Sequence, residues 1–154
     1  MRASPRRAAP WLPLAVGLVA MSAAAAHGQD AGVAQPAGLL GVHWHWVQFT
    51  TPGAAPLIPA HTDRYWVEFA AEGKLAFQAD CNRGTGVWTQ RGRELKLQPL
   101  ASTLAACPEG SLDSRFTQLL ASVRGASVLG RTLLLRLPDG GIIHFEAVPT
   151  DAQQ

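Results

Sequence analysis

The chain carries only two cysteines, Cys81 and Cys107, and their thiols are its most reactive side chains. Redox-active thiols usually sit close together as Cys-x-x-Cys, a spacing this pair lacks. Two histidines, His43 and His45, are two positions apart and would share one face of a strand. With a third ligand from His61 or His144 they would hold a metal. Nothing in the spacing brings that third ligand near, so no metal or other cofactor is assigned. Asn82, Arg83, Gly84, Thr85 and Gly86 read as a polar, glycine-rich turn. Such a turn can offer backbone N–H groups to an anion. It has no following Lys-Ser or Lys-Thr and no helix begins there, so a tight connection capped by the Asn82 side chain is the better reading. Ser102, Thr103 and Ser111 lie near Cys107 without a neighbouring base, and Glu68 with Asp80 makes no supported carboxylate pair. No catalytic residue is assigned, and the chain is read as non-enzymatic.

The tryptophans raise a binding question instead. Trp44 and Trp46 occupy the strand face opposite the histidines and point to a core. Trp66 alternates out of phase with Tyr65, Val67 and Phe69. If one face of a curved sheet stays uncovered, Trp46, Trp66 and Trp88 would line an apolar crevice for an acyl chain or a peptide.

The elements that must position these residues are short. Trp44 to Phe49 is a strand, and the proline-rich stretch from Thr51 to Asp63 is a loop. Tyr65 to Phe69 has strand alternation. After a turn at Glu72-Gly73, Leu75, Phe77, Ala79 and Cys81 share an inner face, with Lys74, Gln78 and Asp80 unsuited to the core. Gly84 and Gly86 bracket a turn. Two further strands flank Arg91-Gly92 as a hairpin, with Leu95 and Leu97 facing inward. Ser111 would cap a helix carrying Leu112, Phe116, Leu119, Leu120 and Val123 on one face, ended by Arg124 and Gly125. Strands with Leu133, Leu135 and Leu137, and then Ile142 to Ala147, close the order around an Asp139-Gly140-Gly141 turn. The order predicts a mainly β fold with one α-helix: a small antiparallel curved sheet or partly open barrel, with the helix over its mouth or face.

The first residues have a different use. Arg2, Arg6 and Arg7 precede an apolar stretch from Ala8 to Ala20 and a small-residue run from Ala23 to Ala26. That is the plan of a secretory signal cleaved after Ala26. An uncleaved anchor is disfavoured by Pro10, Pro13 and the alanine content, and the hydrophobic pattern of a twin-arginine signal is missing. Cleavage would remove three of the 13 basic residues and none of the 11 acidic ones, leaving a net charge of −1. The remaining Lys and Arg are spread without a run, so a nucleic-acid surface loses its main support and no nucleic-acid partner is expected. No cysteine near the cleavage site offers a lipid anchor. The expected organisation is a signal at 1–26, a flexible linker at 27–38, a folded domain at 39–148 and a disordered tail at 149–154. The product would be periplasmic or secreted, with no membrane span left after cleavage. In that oxidising setting Cys81 and Cys107 are expected to form a structural disulfide, with free buried thiols or a redox pair as alternatives.

Several spaced residues then carry a resemblance. Cys81-Asn82-Arg83, Gly86, Leu95, Pro99 to Thr103, Ala106-Cys107-Pro108, Phe116, Leu120 and Leu133 to Leu135 resemble the META domain family, which includes the heat-shock protein HslJ. Gly41 and Trp44 resemble its opening strand. Trp44, Asn82, Gly86, Thr103 and Pro108 would be structural motif residues. The family usually has glycines before the Cys-Asn pair, whereas Phe77 to Asp80 contain none. The resemblance implies an HslJ-like exported domain linked with heat shock and envelope stress, without established enzyme activity. Its fold is similar to small outer-membrane chaperones that hold lipid or peptide in an apolar crevice. The partner would be an envelope protein, a lipid or a peptide. The alternatives are a protein inhibitor acting through the Thr51–Asp63 loop and, more remotely, a metal protein or enzyme using His43 and His45.

Overall fold

The computed structural model of the protein describes residues 38–148. The expected signal and tail, and all of the expected linker except Gly38, lie outside the described residues. Eight strands and one helix follow in order: β1 (His43–Thr50), β2 (Tyr65–Phe69), β3 (Lys74–Ala79), β4 (Asn82–Arg91), β5 (Glu94–Ser102), α1 (Asp113–Ala121), β6 (Gly125–Leu129), β7 (Thr132–Arg136) and β8 (Ile142–Val148). Alternation does what it predicts. Tyr65, Val67 and Phe69 are buried in β2, and Leu95 and Leu97 are buried in β5.

Every neighbouring pair is antiparallel, and the ladder is a closed barrel rather than a curved sheet or partly open one. Closure comes from β1, which pairs with β8 from His43↔Val148 to Thr50↔Ile142. An eight-stranded barrel has an interior that side chains can fill. Here Trp44, Trp46, Phe69, Phe77, Leu133, Leu135, Ile143 and Phe145 fill it.

One seam of the barrel is thin. β5 meets β6 through the single register pair Glu94↔Gly125, supported by the Leu95 N–H donating to the Arg124 carbonyl at 3.0 Å. The helix lies in the chain between these two strands and packs against β5. Its Phe116 stacks on Trp46 at 5.1 Å and meets Tyr65 edge-on at 5.6 Å. Leu119, Leu120 and Val123 are buried beside it.

Four local expectations are corrected. Gly84 and Gly86 lie inside β4, and the turn is at Asp80-Cys81. They are glycines because β4 is tightly approached: a Cβ on Gly84 would strike the Phe77 ring, and one on Gly86 would strike the Gln98 carbonyl. β3 ends at Ala79, and Asp80 takes a positive φ of 56°. That break reverses the alternation, so Asp80 is 6% exposed while Cys81 is exposed. The helix begins after Leu112, and Ser111 acts one residue earlier than a cap, its Oγ accepting the Asp113 N–H at 3.3 Å. It ends at Ala121 with Ser122 as its C-cap, so Arg124 lies beyond its last turn and Gly125 opens β6.

Candidate functional site

The site grows from Asn82, the first residue of β4, whose side chain is almost fully buried. A buried amide must satisfy both its oxygen and its two N–H groups. The Asn82 Oδ1 accepts from Thr103 Oγ1 at 3.0 Å and from the Ala105 N–H at 2.8 Å. Its Nδ2 donates towards the Ala105 carbonyl at 3.2 Å and Asp113 Oδ2 at 3.2 Å, with Cys107 Sγ at 3.3 Å. Thr103 also ties back to Arg83, giving its N–H to the Arg83 carbonyl and taking the Arg83 N–H on Oγ1, both at 3.0 Å. Asn82 is therefore the centre of a network rather than a turn cap. It holds the connection between β5 and α1 in one shape.

A disulfide joins Cys81 to Cys107. Cys81 is exposed and Cys107 is half-buried. The bridge fastens the connection a second time, to the turn before β4. Asp80 supports that turn from beneath, its carboxylate 3.3 Å from the Arg64 guanidinium.

This double fastening presents an apolar side chain to solvent. Leu104 is 95% exposed, yet Thr103 and Ala105 on either side of it are both held by Asn82. Composition gives no warning of it: Leu104 is a lone leucine in a small and polar stretch. Beside it runs an open groove of about 340 Å³ between the end of β5 and α1, where β6 does not reach. Pro99, Leu104 and Ala121 give it apolar surface, and Thr103, Thr117 and Gln118 give it hydrogen-bonding groups. Asp113 is its one charged lining residue.

The structure does not bring Trp46, Trp66 and Trp88 together in a crevice. Trp46 is 0% exposed within the barrel. Trp88 is 5% exposed, its indole N–H donating to the Ala70 carbonyl at 3.0 Å. Trp66 lies half-buried on the outer surface, its indole N–H on Gln78 Oε1 at 3.1 Å and its ring 4.7 Å from His43. Closure of the barrel turned the inner tryptophans into core.

The other motif residues make local contacts within the fold. Trp44 donates its indole N–H to the Leu39 carbonyl at 3.1 Å. Gly86 lies opposite Pro99 at an irregularity of the β4–β5 ladder. The Pro108 carbonyl accepts the Ser111 N–H at 3.1 Å.

His43 and His45 do share the outer face of β1. His43 Nε2 is 2.8 Å from Glu68 Oε2. Burial lowers the pKa of His45, His43 lowers it further, and Asp63 opposes both. His144, whose pKa burial also lowers, pairs instead with Thr50 Oγ1 at 3.1 Å. Among the described residues no three His, Cys, Asp or Glu side chains converge on a metal position. Ser102 donates to the Thr103 carbonyl, and Ser111 meets the Tyr65 hydroxyl at 3.5 Å, so neither is bonded to a histidine base.

Comparison with known proteins bears on this geometry. The family model described as the META domain matches residues 37–149. No curated protein matches the chain. Among solved structures, the NMR structure of a protein from Burkholderia xenovorans is similar with a TM-score of 0.61 at 16% identity, over 71% of this chain and 83% of that one. The crystal structure of a DUF4847 family protein from Bacteroides vulgatus is similar with a TM-score of 0.52 at 18% identity, over 70% of this chain and 93% of that one. At these identities the likeness is one of fold.

Proposed function

The chain belongs to the META domain family, and from that premise we propose that it is a non-enzymatic binding module of the cell envelope. Its ligand is an extended, uncharged apolar peptide segment of an envelope protein. The observation that carries this reading is the presentation of Leu104: almost wholly exposed, yet held on a backbone pinned on both sides by Asn82 and fastened by a disulfide. An apolar anchor that is already ordered loses little conformational entropy on binding. Hydroxyl and amide groups in the adjoining groove suit the backbone of a peptide. A lipid is less well served. The barrel interior is packed with side chains, and the groove offers no cation to an anionic headgroup. Export by a cleaved signal, a periplasmic or secreted location and a role in envelope stress belong to the same proposal.

A second reading keeps the proline-rich loop as a protein-binding element. It is favoured by Ile58, 63% exposed beside Leu57. Leu57 exchanges both backbone hydrogen bonds with Phe49, so that loop too displays an apolar side chain from an anchored base.

The test is an NMR titration of the protein with a library of uncharged apolar hexapeptides, with native mass spectrometry of material purified from its own envelope fraction. Shift changes at residues 82, 103–105 and 113–121, lost in Leu104→Ser, are expected. Changes confined to residues 51–63 would favour the loop, and a co-purifying lipid would overturn the peptide.

A further inference from the structure

The disulfide beside the groove is asymmetric in three independent respects. The first is access: Cys81 is exposed and Cys107 half-buried. The second is what faces each sulfur. Cys107 Sγ lies 3.3 Å from the Asn82 Nδ2 donor, which would stabilise a thiolate there. Cys81 Sγ lies 3.7 Å from the Ala105 carbonyl oxygen, to which a thiol can donate but which repels a thiolate. The third is what the bond holds. Among the described residues, the hydrogen bonding of residues 106–110 to the barrel runs through Cys107, while Pro108, Glu109 and Gly110 only line a cavity with Arg64, Tyr65 and Asp80. The next anchor is the Leu112 N–H on the Tyr65 hydroxyl at 2.9 Å.

We propose that the Cys81–Cys107 bridge is a reducible latch, opened by a dithiol reductant that attacks Cys81. A thiolate of the reductant bonds to Cys81 Sγ, the Cys81–Cys107 bond breaks, and its electron pair leaves on Cys107 Sγ, which accepts the Asn82 N–H. The second thiol of the reductant, as thiolate, then attacks its own partner sulfur in the mixed disulfide. Cys81 departs as a thiolate and takes up a proton to donate to Ala105. The reductant ends as a disulfide and the chain as two cysteines, a two-electron exchange. The sulfur that leaves fastest is the one whose thiolate is better stabilised, which here is Cys107. Opening removes the covalent tie on residues 106–110, the stretch that follows Leu104 and leads into α1, and leaves only the Asn82 contact at Cys107. Its effect on ligand binding rests on the groove reading above; the exchange chemistry does not. Asp113 competes for the same Asn82 amide and opposes an anion at Cys107, so Asp113→Asn should speed the opening.

The experiment treats the purified, oxidised protein with reduced glutathione, quenches with acid, alkylates the free thiols and maps the adducts by peptide mass. Glutathione on Cys81 and the alkyl group on Cys107 should dominate by about tenfold. In folded Asn82→Ala that preference should fall towards parity. Should this variant fail to fold, alkylation of the reduced native protein gives the same information, with Cys107 reacting several-fold faster than Cys81. Backbone NMR relaxation of the oxidised and reduced protein should show residues 106–110 gaining mobility on reduction while β1 and β8 stay rigid. Adducts shared equally or favouring Cys107 would overturn the mechanism. Loss of order across the whole barrel on reduction, or unchanged mobility of 106–110, would overturn the latch. No peptide takes part, so failure here is distinct from failure of the binding reading.

Discussion

Asn82 Nδ2 lies 3.2 Å from Asp113 Oδ2, so the first residue of β4 is bonded to the first residue of α1. Two residues with the whole β4–β5 hairpin between them in the chain thus share one hydrogen bond. The same amide orders the chain that connects them. One buried side chain thus links the start of α1 to the stretch that carries Leu104.

Asn82→Ala removes that amide and leaves the Asp113 carboxylate and the Ala105 N–H without it. Loss of a buried, multiply bonded polar group should cost about 3 kcal/mol. Chemical denaturation should show it as a lower midpoint with an unchanged slope. Leu104→Ser, by contrast, should leave stability within about 0.5 kcal/mol, because the side chain is already in water.

Gly86→Ala should destabilise by about 2–3 kcal/mol through overpacking. The new Cβ would meet the Gln98 carbonyl and lie 3.0 Å from Pro99 Cα, backbone atoms with no rotamer to yield. Amide exchange in β4 and β5 should rise first.

Replacing both cysteines, as Cys81→Ser with Cys107→Ser, should cost about 3.5 kcal/mol in the chain-entropy picture for a loop of this size. The double variant should still fold, because the barrel ladder does not pass through the bridge. Circular dichroism with thermal melting checks both statements.

Stability should fall modestly as pH drops through and below 6.5, the ordinary histidine value. Burial lowers the pKa of both His45 and His144 in the folded state, so the unfolded chain binds more protons across the window between the two pKa values. The stabilisation is complete above the unfolded pKa and is lost as pH falls through the folded one. His45→Gln with His144→Gln should flatten the profile of denaturation midpoint against pH.

The strand pattern was legible wherever a side chain answers to its own alternation, as at Tyr65, Val67 and Phe69. The Asp139-Gly140-Gly141 turn was legible for the same local reason. What sequence could not convey depends on partners far along the chain. Barrel closure is a pairing of β1 with β8 and leaves no trace in either strand alone. Gly84 and Gly86 resembled turn residues because their reason, the approach of Phe77 and of Gln98, comes from other strands. The burial of Asp80 in place of Cys81 follows from one positive φ. At the site, the two cysteines and Asn82 stood out by residue type. Leu104 did not, because its meaning lies in the anchoring of its neighbours.

Closure through β1 and β8 also sets a timetable. A chain delivered N-terminus first presents β1 long before β8 exists. Until residues 142–148 arrive, one edge of β1 lacks its partner and the large aromatic surfaces of Trp44 and Trp46 cannot be sealed. Unpaired edges next to apolar side chains invite association with other chains. The barrel is therefore closed only once residues 142–148 are available to pair with β1.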